Sequence, residues 1–367
     1  MVVKASKSKE KSPPHTIRRS DPTPIYKQIA NHLKERIDQD DFKHDKRLPS
    51  SRDLAEFYRV NHLTVRQALK YLEQEGIIGI AHGRGSFIKS NVDTPLRTAL
   101  LLPALGHEQS GIISRAVQSE LGGEATVHVM DYHGKPSEEA ACLLRIAKDG
   151  YNSAIIYSSM RGEAVRLVLQ MIVEGFPLVL VDRFFGNVPA AYVLSDNRNG
   201  GYVATRHLLQ KGCRRIACFT TDLPNVTERY AGYRDALAEV GVLFDKSLVV
   251  ELPPEGDLSE RATTNLLKAR KDIDGIFFYN DYEALKGMKQ IKAAGLRIPE
   301  DIRVVGFDDL QLTRYSEPTL TSIRQNHEQV GREAARLLVK QLKLSEEERF
   351  TMQMQVIPVE LIERESA

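Results

Sequence analysis

The feature that most constrains the fold is an alternation of apolar, strand-like segments with amphipathic helical segments between residues 97 and 309. Several of the helical stretches end at a glycine, the residue most often found just past a helix. Nearly continuous apolar strands separated by helices are typical of a parallel sheet covered on both faces. The strand segments read RTALLLPAL, EATVHVMDY, NSAIIYSS, FPLVLVDRF, AAYVLSD, RRIACFTTD, LVVELPP, DGIFFYND and IRVVGFDD. The sequence therefore predicts a doubly wound α/β body.

Composition is that of an ordinary globular protein. The chain has 367 residues, of which 42% are hydrophobic and 27% charged, enough for two or three domains. No apolar run reaches the roughly 20 residues that span a bilayer, and the N-terminus lacks the apolar core of a signal peptide. We therefore expect a cytoplasmic protein. Cys142, Cys213 and Cys218 form neither an even set nor a C-x₂-C pair, which predicts buried thiols and no metal site or cofactor.

Charge divides the chain into a basic part and an acidic part. Residues 1–90 hold 18 Lys and Arg against 11 Asp and Glu, whereas the other 277 residues hold 33 against 38. A basic head on an acidic body favours a polyanionic partner at the head. The predicted organisation is a disordered basic arm, a head, a polar linker and a body, at residues 1–22, 23–89, 90–96 and 97–367.

Two helical patterns joined by a short turn lie within the segment LPSSRDLAEFYRVNHLTVRQALKYLEQEG. Asn61 is placed to cap the second helix, whose apolar stripe consists of Val65, Ala68, Leu69 and Leu72. A different face carries Leu63, Arg66, Gln67 and Lys70. Many helical hairpins bind nothing. Here a basic setting and exposed Arg and Gln near the start of the second helix favour a helix-turn-helix that enters a major groove.

The next segment, IIGIAHGRGSFI, predicts two short strands around a glycine-rich tip with Arg84. Such a wing can contact a phosphate or enter a minor groove. Together with the PIYKQIANHLKERI helix, the motifs LPS-R-LA, TVR-AL-LE-EG and GRG-F resemble the winged helix of GntR-family transcription regulators. The resemblance implies DNA contacts from the first of the two helices, the start of the second and the wing tip. These positions are Arg52, Asn61, Thr64, Arg66, Gly83 and Arg84. We also predict DNA contacts for His62 and Gln67, which lie on the same second helix.

The sequence departs from the GntR pattern at Asn61–Leu63, where the family more often has serine or threonine with a basic residue. We expect His62 and Leu63 to change the base preference.

The body carries seven motifs that resemble, in order, the effector domain of LacI/GalR-type regulators, which is built like a periplasmic sugar-binding protein. They are LVDR, SDNRNGGYVATRHLLQKGCRRIA, ERYAGYRDAL, NDYEALKGM, IPEDIRVVGFDD, EPTLTSIRQ and VELIERES. The combination of head and body is similar to AraR-type sugar repressors. It implies two lobes around a cleft and a homodimer held together mainly by the body.

Polar residues follow several predicted strands, where a ligand cleft is expected in this fold. By resemblance, the ligand-contacting residues are Asp182, Arg183, Arg229, Asn280, Asp308 and Gln325, with His107, Gln109 and Ser158 as looser candidates. Asp281 and Asp309 are expected to be structural, and Arg183 has the alternative of pairing with Asp182. Leu258 occupies a position where sugar-binding relatives often have a stacking aromatic. A stacking ring is then missing or comes from elsewhere, with Phe184 and Tyr157 as candidates.

The adjacent acids Asp308 and Asp309 also raise the possibility of an enzyme. Successive residues at a strand end point in opposite directions, so both carboxylates cannot easily meet one substrate. The sequence has no H-x₃-H, G-x-S-x-G or phosphate-loop motif. We therefore predict a DNA-binding regulator and no catalysis. The leading hypothesis is a repressor of carbohydrate-utilisation genes released by a small sugar; a ligand-dependent activator and a non-sugar effector stay open.

Overall fold

A computed structural model of the chain describes residues 22–38, 42, 48–81, 85–88, 96–253 and 258–367. The chain divides into a head that ends at Pro95 and a body that begins at Leu96. Nearly all of the predicted basic arm and linker, and the tip of the predicted wing, lie outside the described residues.

The described part of the head contains three helices and an antiparallel pair of strands. They are α1 (Ile25–Asp38), α2 (Ser51–Tyr58), α3 (His62–Gln74), β1 (Ile78–Ala81) and β2 (Gly85–Ile88). Helix α2 begins with a capping box, in which the Ser50 hydroxyl accepts from the Asp53 N–H at 3.2 Å and the Asp53 carboxylate accepts from the Ser50 N–H at 3.3 Å. These two bonds satisfy donors that a helix start otherwise leaves unpaired. The predicted helix-turn-helix is present.

The turn between α2 and α3 follows the sequence signals closely. Arg59 ends α2 in the left-handed conformation, with φ at +53°. The Asn61 side chain then caps α3 by accepting from the Leu63 N–H at 2.9 Å. The predicted apolar stripe of α3 is buried against the other helices and β1, which leaves its polar face exposed.

The body alternates strands with helices. In chain order its elements are β3 (Leu96–Leu102), α4 (Glu108–Leu121), β4 (Ala125–Asp131), α5 (Pro136–Lys148), β5 (Ser153–Ile156), α6 (Gly162–Val173), β6 (Leu178–Val181), β7 (Ala191–Ser195), α7 (Asn197–Gln210), β8 (Ile216–Thr220), α8 (Pro224–Glu239), β9 (Val249–Glu251), α9 (Ser259–Ala269), β10 (Gly275–Phe277), α10 (Asp281–Ala293), β11 (Arg303–Asp308), β12 (Thr321–Gln325), α11 (His327–Leu342), α12 (Glu346–Arg349), β13 (Gln353–Ile357) and β14 (Val359–Ile362). The nine predicted strands are β3 to β11, and the doubly wound α/β prediction is confirmed.

Two lobes make up the body, each built on one six-stranded sheet. Lobe one has the strand order β13-β7-β6-β5-β3-β4, and every pair of neighbours is parallel. Helices α5 and α6 bury apolar residues against one face, and α4 and α11 against the other. Lobe one is therefore complete only with elements from both ends of the body.

Lobe two has the strand order β14-β12-β11-β10-β8-β9, and only the edge pair β12–β14 is antiparallel. Helices α7 and α8 cover one face, and α9 and α10 cover the other. The chain crosses between the lobes three times, after β7, after β12 and after β13. The crossings lie side by side, since the Asp196 N–H donates to the Ile357 carbonyl at 2.9 Å and Gln325 pairs with Val359.

Candidate functional site

A cavity of about 330 Å³ lies where the carboxyl ends of strands from both sheets meet. Lobe one contributes the loops that follow β3 to β6, and lobe two contributes residues at or after the ends of β8, β10, β11 and β12. Parallel strands all end at the same edge of a sheet, so the loops that follow them lie close together there, and ligands bind at this edge in open α/β sheets.

Seven of the nine predicted ligand-contacting residues, counting the looser candidates, line this cavity: His107, Gln109, Arg183, Arg229, Asn280, Asp308 and Gln325. The other two, Asp182 and Ser158, are buried behind its wall. Asp182 has φ at +68°, and its carboxylate accepts from the Asn225 side chain at 2.9 Å. The Ser158 carbonyl accepts from the Arg183 guanidinium at 2.9 Å, and its hydroxyl from the Met160 N–H at 3.0 Å. Both therefore support residues that reach the cavity.

Asp308 ends β11 with φ at +117° and presents its carboxylate to the cavity. Its Oδ1 accepts from the Gln325 amide at 2.6 Å and lies 3.9 Å from Nη1 of Arg229. Burial raises the pKa of Asp308 to about 6, although the Arg229 charge and the Gln325 hydrogen bond act in the opposite direction. A buried carboxylate of this kind is a strong acceptor for donors on a ligand.

Arg229 is 3% exposed and held from several sides. Its Nε donates to the Asn197 side chain at 2.8 Å, its Nη1 donates to the Tyr279 carbonyl at 2.5 Å, and its guanidinium lies 3.6 Å from the centre of the Phe307 ring. With this many fixed contacts, the guanidinium loses little further freedom when a ligand binds.

Glycines at the contact between α7 and α8 set the position of Arg229. A Cβ on Gly201 would lie 1.9 Å from the backbone oxygen of Arg229, and a Cβ on Gly232 would lie 1.9 Å from that of Arg198. Only glycine permits this approach of two helix backbones. The motifs SDNRNGGYVATRHLL and ERYAGYRDAL thus act together to place the Arg229 side chain in the cavity wall.

The carboxylates next to Asp308 are turned to the protein interior. Asp309 pairs with Arg324 at 2.8 Å and with Arg364 at 2.5 Å. Asp281 accepts from the Ser322 hydroxyl at 2.6 Å and from a backbone N–H at 2.8 Å, and burial together with the charge of Asp308 raises its pKa. Asp308 and Asp309 therefore do not converge on one substrate.

Four tyrosines line the cavity: Tyr132, Tyr157, Tyr279 and Tyr282. The prediction of Phe184 as a cavity ring is wrong, because Phe184 packs against Tyr192, with ring centres 5.0 Å apart, and belongs to the core of lobe one. Leu258 lies before α9, is 41% exposed and is not part of the cavity lining. Tyr132, Tyr157 and Tyr279 each directly follow an apolar strand segment, a signal that was present in the sequence.

Six buried polar atoms of the cavity lining find no hydrogen-bond partner among the described residues. They are Gln109 Oε1, Ser159 Oγ, Arg183 Nε, Asn225 Oδ1, Gln325 Oε1 and His327 Nε2. A buried polar atom without a partner costs about 1–3 kcal/mol, so such atoms rarely cluster without a reason. Burial also lowers the pKa of His327 to about 4, which makes its ring neutral at neutral pH, with one donor and one acceptor. Sequence reasoning missed Asn225 and His327, which lie in the first turns of α8 and α11.

The three arginines of the lining each face a carboxylate. Arg161 donates to Asp222 at 2.9 Å, Arg183 lies 4.0 Å from Asp182, and Arg229 lies 3.9 Å from Asp308. The positive charges of the cavity wall are thus compensated.

Several of these contacts join the two lobes directly. Arg161 and Asp182 belong to lobe one, whereas their partners Asp222 and Asn225 belong to lobe two. Across the same cleft, the Gln311 N–H donates to the Glu108 carboxylate at 2.8 Å. Because these bonds join the two lobes at the cavity, the geometry of the cavity wall depends on the angle between the lobes.

In the head, the predicted DNA-contacting positions of the helix-turn-helix lie on its surface. Arg52, His62, Arg66 and Gln67 are exposed, and Thr64 is half-buried. Asn61 is exposed as well, but its side-chain oxygen is used to cap α3. Gly83 and Arg84 lie outside the described residues.

Within the described ranges, no group of three or more His, Cys, Asp or Glu side chains is arranged to hold a metal ion. No helix in this part of the chain is both long and apolar enough to cross a bilayer.

Two family models match the chain. The model of bacterial regulatory proteins of the gntR family matches residues 25–88, and the periplasmic binding protein-like domain matches residues 205–367. The chain thus joins a DNA-binding domain of the gntR family to a periplasmic binding protein-like domain.

Curated relatives are transcription regulators. The HTH-type transcriptional repressor PurR of Aliivibrio fischeri (strain MJ11) is 29% identical over 234 residues, which cover 63% of this chain and 69% of the relative. The HTH-type transcriptional regulator CelR of Thermobifida fusca is 39% identical over 179 residues, 47% of this chain and 52% of the relative. Such regulators are not enzymes.

Solved structures support the same class. A transcriptional regulator CelR–cellobiose complex has a TM-score of 0.67 and 26% identity, and the match covers 84% of this chain and 92% of that one. CcpA of Lactococcus lactis, at 22% identity and a TM-score of 0.64, shows the fold alone. The chain is a transcription regulator with a DNA-binding head and a sugar-binding-like body.

Proposed function

We propose that the protein is a repressor of carbohydrate-utilisation genes that leaves its operator when an uncharged sugar binds in the body. The observation that carries this proposal is the cavity, whose polar atoms come from both lobes and whose arginines are each matched by a carboxylate. The repressor would act in the cytoplasm as a homodimer, with two heads on two half-sites of operator DNA.

The chemistry of the lining favours a ligand with many hydroxyl groups. A hydroxyl both donates and accepts, so it can satisfy the carbonyl oxygens of Gln109, Asn225 and Gln325 as well as the nitrogen donor of Arg183. Four tyrosine rings add apolar surface against which the faces of a sugar ring can pack. An amide-rich and tyrosine-rich wall therefore suits a sugar better than an apolar effector.

The charge balance favours a neutral sugar over a sugar phosphate or a sugar acid. Each guanidinium of the lining already faces one carboxylate, so an added anion would bring uncompensated negative charge next to Asp308. Two negative charges in direct contact in a buried site repel each other strongly. A solved relative holding cellobiose supports a neutral sugar as the ligand class.

The two-lobed arrangement suits a switch. A ligand that contacts residues of both lobes stabilises one angle between them over another, and its differential affinity for the two arrangements is the free energy that drives the change. Couplings of this type are commonly about 1–3 kcal/mol. In the proposed dimer, a change in the bodies would alter the spacing of the heads and weaken operator binding.

A thermal-shift screen of the full chain with neutral mono- and disaccharides, their phosphates and sugar acids tests the ligand. We expect a neutral sugar to raise the unfolding temperature, since a ligand that binds only the folded state stabilises it. Arg183→Ala should abolish this shift. The matched control Arg332→Ala removes an arginine that is 48% exposed on α11 and should leave the shift intact. A shift only with phosphates or acids would contradict a neutral effector.

A gel-shift assay tests the regulatory part. Wild-type protein should bind a selected operator in a salt-sensitive manner and lose affinity on addition of the sugar, whereas Arg183→Ala should bind DNA but ignore the sugar. Arg66→Ala should weaken DNA binding without changing the sugar-induced thermal shift. Tighter DNA binding on addition of the sugar would refute release from the operator and identify a ligand-recruited form.

A further inference from the structure

The start of helix α3 exposes a large apolar side chain. Leu63, the second residue of α3, is 59% exposed, and it is the only large apolar residue with such exposure among the described residues of the head. Single exposed leucines are common on protein surfaces and need no special explanation by themselves. The exposure of Leu63 is informative because this residue lies on the face of α3 that is proposed to contact DNA.

The orientation of α3 is fixed by its buried side. Val65, Ala68, Leu69 and Leu72 are at most 3% exposed and anchor the helix in the head core. Successive helix residues are about 100° apart, so Leu63 lies roughly 200° from Val65 and cannot turn into that core. The Asn61 cap, which accepts from the Leu63 N–H at 2.9 Å, further fixes the backbone at this point.

Leu63 shares its face with two residues whose side chains have the chemistry to read bases by hydrogen bonds. Arg66 and Gln67 follow it at i+3 and i+4, the positions that adjoin it on a helix surface, and both are exposed. In the major groove, arginine pairs with guanine and glutamine pairs with adenine. Leucine can do neither, because its side chain has no donor and no acceptor.

We propose that Leu63 is a specificity-determining residue that packs against the C5-methyl group of a thymine in the operator. This inference rests on the proposed DNA binding by the head. The thymine methyl is the apolar group among the base edges of the major groove, whereas the edges of the other bases present hydrogen-bonding groups. A leucine placed against one of those edges would leave the polar atoms without partners, and placed against thymine it buries apolar surface on both sides.

The expected loss of affinity follows from the apolar surface that is buried at the thymine methyl group. Burial of one methyl-sized group is worth about 0.8 kcal/mol, which corresponds to about a fourfold change in affinity. Each half-site in a symmetric operator contributes once, so removal of the methyl from both half-sites should weaken binding by about 16-fold if the two contributions add.

Substitution of thymine by deoxyuridine tests this inference, because it removes the methyl and keeps the base pairing. An operator is first selected from random duplex DNA with the full-length wild-type protein, and each thymine is then replaced in turn. We expect one position per half-site at which deoxyuridine weakens wild-type binding about fourfold. Leu63→Ala should bind thymine and deoxyuridine equally at that position.

Lys70→Ala is the matched control. Lys70 is exposed on the same helix and can contact a phosphate, so its loss should weaken binding to all sequences while the methyl effect persists. A second test places a C·G pair at the sensitive position, where 5-methylcytosine should bind wild-type protein more tightly than cytosine. Leu63→Ala should lose this preference too.

The outcomes separate this inference from the proposed function. An enriched operator with no methyl-sensitive position, or with one that Leu63→Ala retains, would overturn the role of Leu63 and leave DNA binding standing. Selection that enriches no sequence would overturn both. Because Leu63 is exposed, Leu63→Ala should keep the unfolding temperature of the wild type, so that a loss of discrimination reports on DNA contact and not on folding.

Discussion

Replacement of Asp308 by asparagine should change how the stability of the protein depends on pH. Asp308 is buried, and burial raises its pKa from an ordinary value of 3.8 to about 6. The folded state therefore holds this proton more tightly than the unfolded chain does. The resulting stabilisation is fully present below about pH 4 and is lost as the pH rises through about 6, since above that point both states have released the proton.

The magnitude follows from the two pKa values. A difference of about two units corresponds to about 3 kcal/mol, because one unit is worth 1.36 kcal/mol. Asparagine cannot ionise, so the free energy of unfolding of Asp308→Asn relative to wild type should rise by up to about 3 kcal/mol between pH 4 and pH 7. Part of the measured change will come from Asp281. The negative charge of Asp308 raises the pKa of Asp281, and the asparagine substitution removes that charge.

The change with pH is the quantity to measure, because the substitution also removes the partner of Arg229 and so adds a pH-independent offset. Since the chain contains no tryptophan, urea unfolding of the full chain is best followed by circular dichroism at several pH values. Leu258→Ala, which removes no ionisable group, serves as the control and should differ from wild type by a constant amount. A flat or falling difference for Asp308→Asn between pH 4 and 7 would refute the buried, raised-pKa carboxylate.

Two further substitutions test how the functional residues are positioned. Gly201→Ala would place a Cβ 1.9 Å from the Arg229 backbone oxygen, so it should destabilise the body by about 1–3 kcal/mol or more and weaken sugar binding. Gly106→Ala, where a Cβ meets no atom within 4 Å, is its control in urea unfolding, and an equal effect of both would refute the packing argument. Ser50→Ala removes the capping box of α2 and should cost the head about 1 kcal/mol in stability, as read from its thermal unfolding. An unchanged unfolding temperature for Ser50→Ala would mean that the cap contributes nothing.

Much of the fold follows from local pattern. The nine strand segments from RTALLLPAL to IRVVGFDD are nearly continuous apolar runs, which is what a sheet buried on both faces requires, and all nine form strands. Strands β12, β13 and β14 did not stand out, because their short segments TSIRQ, QMQVI and VELI mix polar with apolar residues. Met354 and Val356 on β13 are more than 40% exposed, so burial leaves little mark on this segment.

The cavity was predictable to the extent that strand ends determine it. Arg183, Asn280 and Asp308 follow apolar strands, and the carboxyl ends of parallel strands meet at one edge. Which side a residue faces after the strand depends on backbone angles that the sequence does not reveal. Asp182, at φ +68°, supports the wall from behind, and Phe184 turns into the core. Asn225 and His327 reach the cavity only because two lobes come together, which no local pattern encodes.

The three crossings between the lobes have a consequence for biosynthesis. Lobe one needs α11 and β13, which are among the last elements of the chain, to cover one sheet face and to complete the sheet. The early strands of lobe one leave the ribosome long before α11 and β13. Their apolar surface therefore stays exposed until synthesis of the chain is nearly complete. A chain broken off before residue 327 would carry a whole helix-turn-helix but an exposed core, and such surfaces direct proteins to chaperones and proteases. The order of the elements thus disfavours the accumulation of truncated chains that bind operators and cannot respond to a ligand.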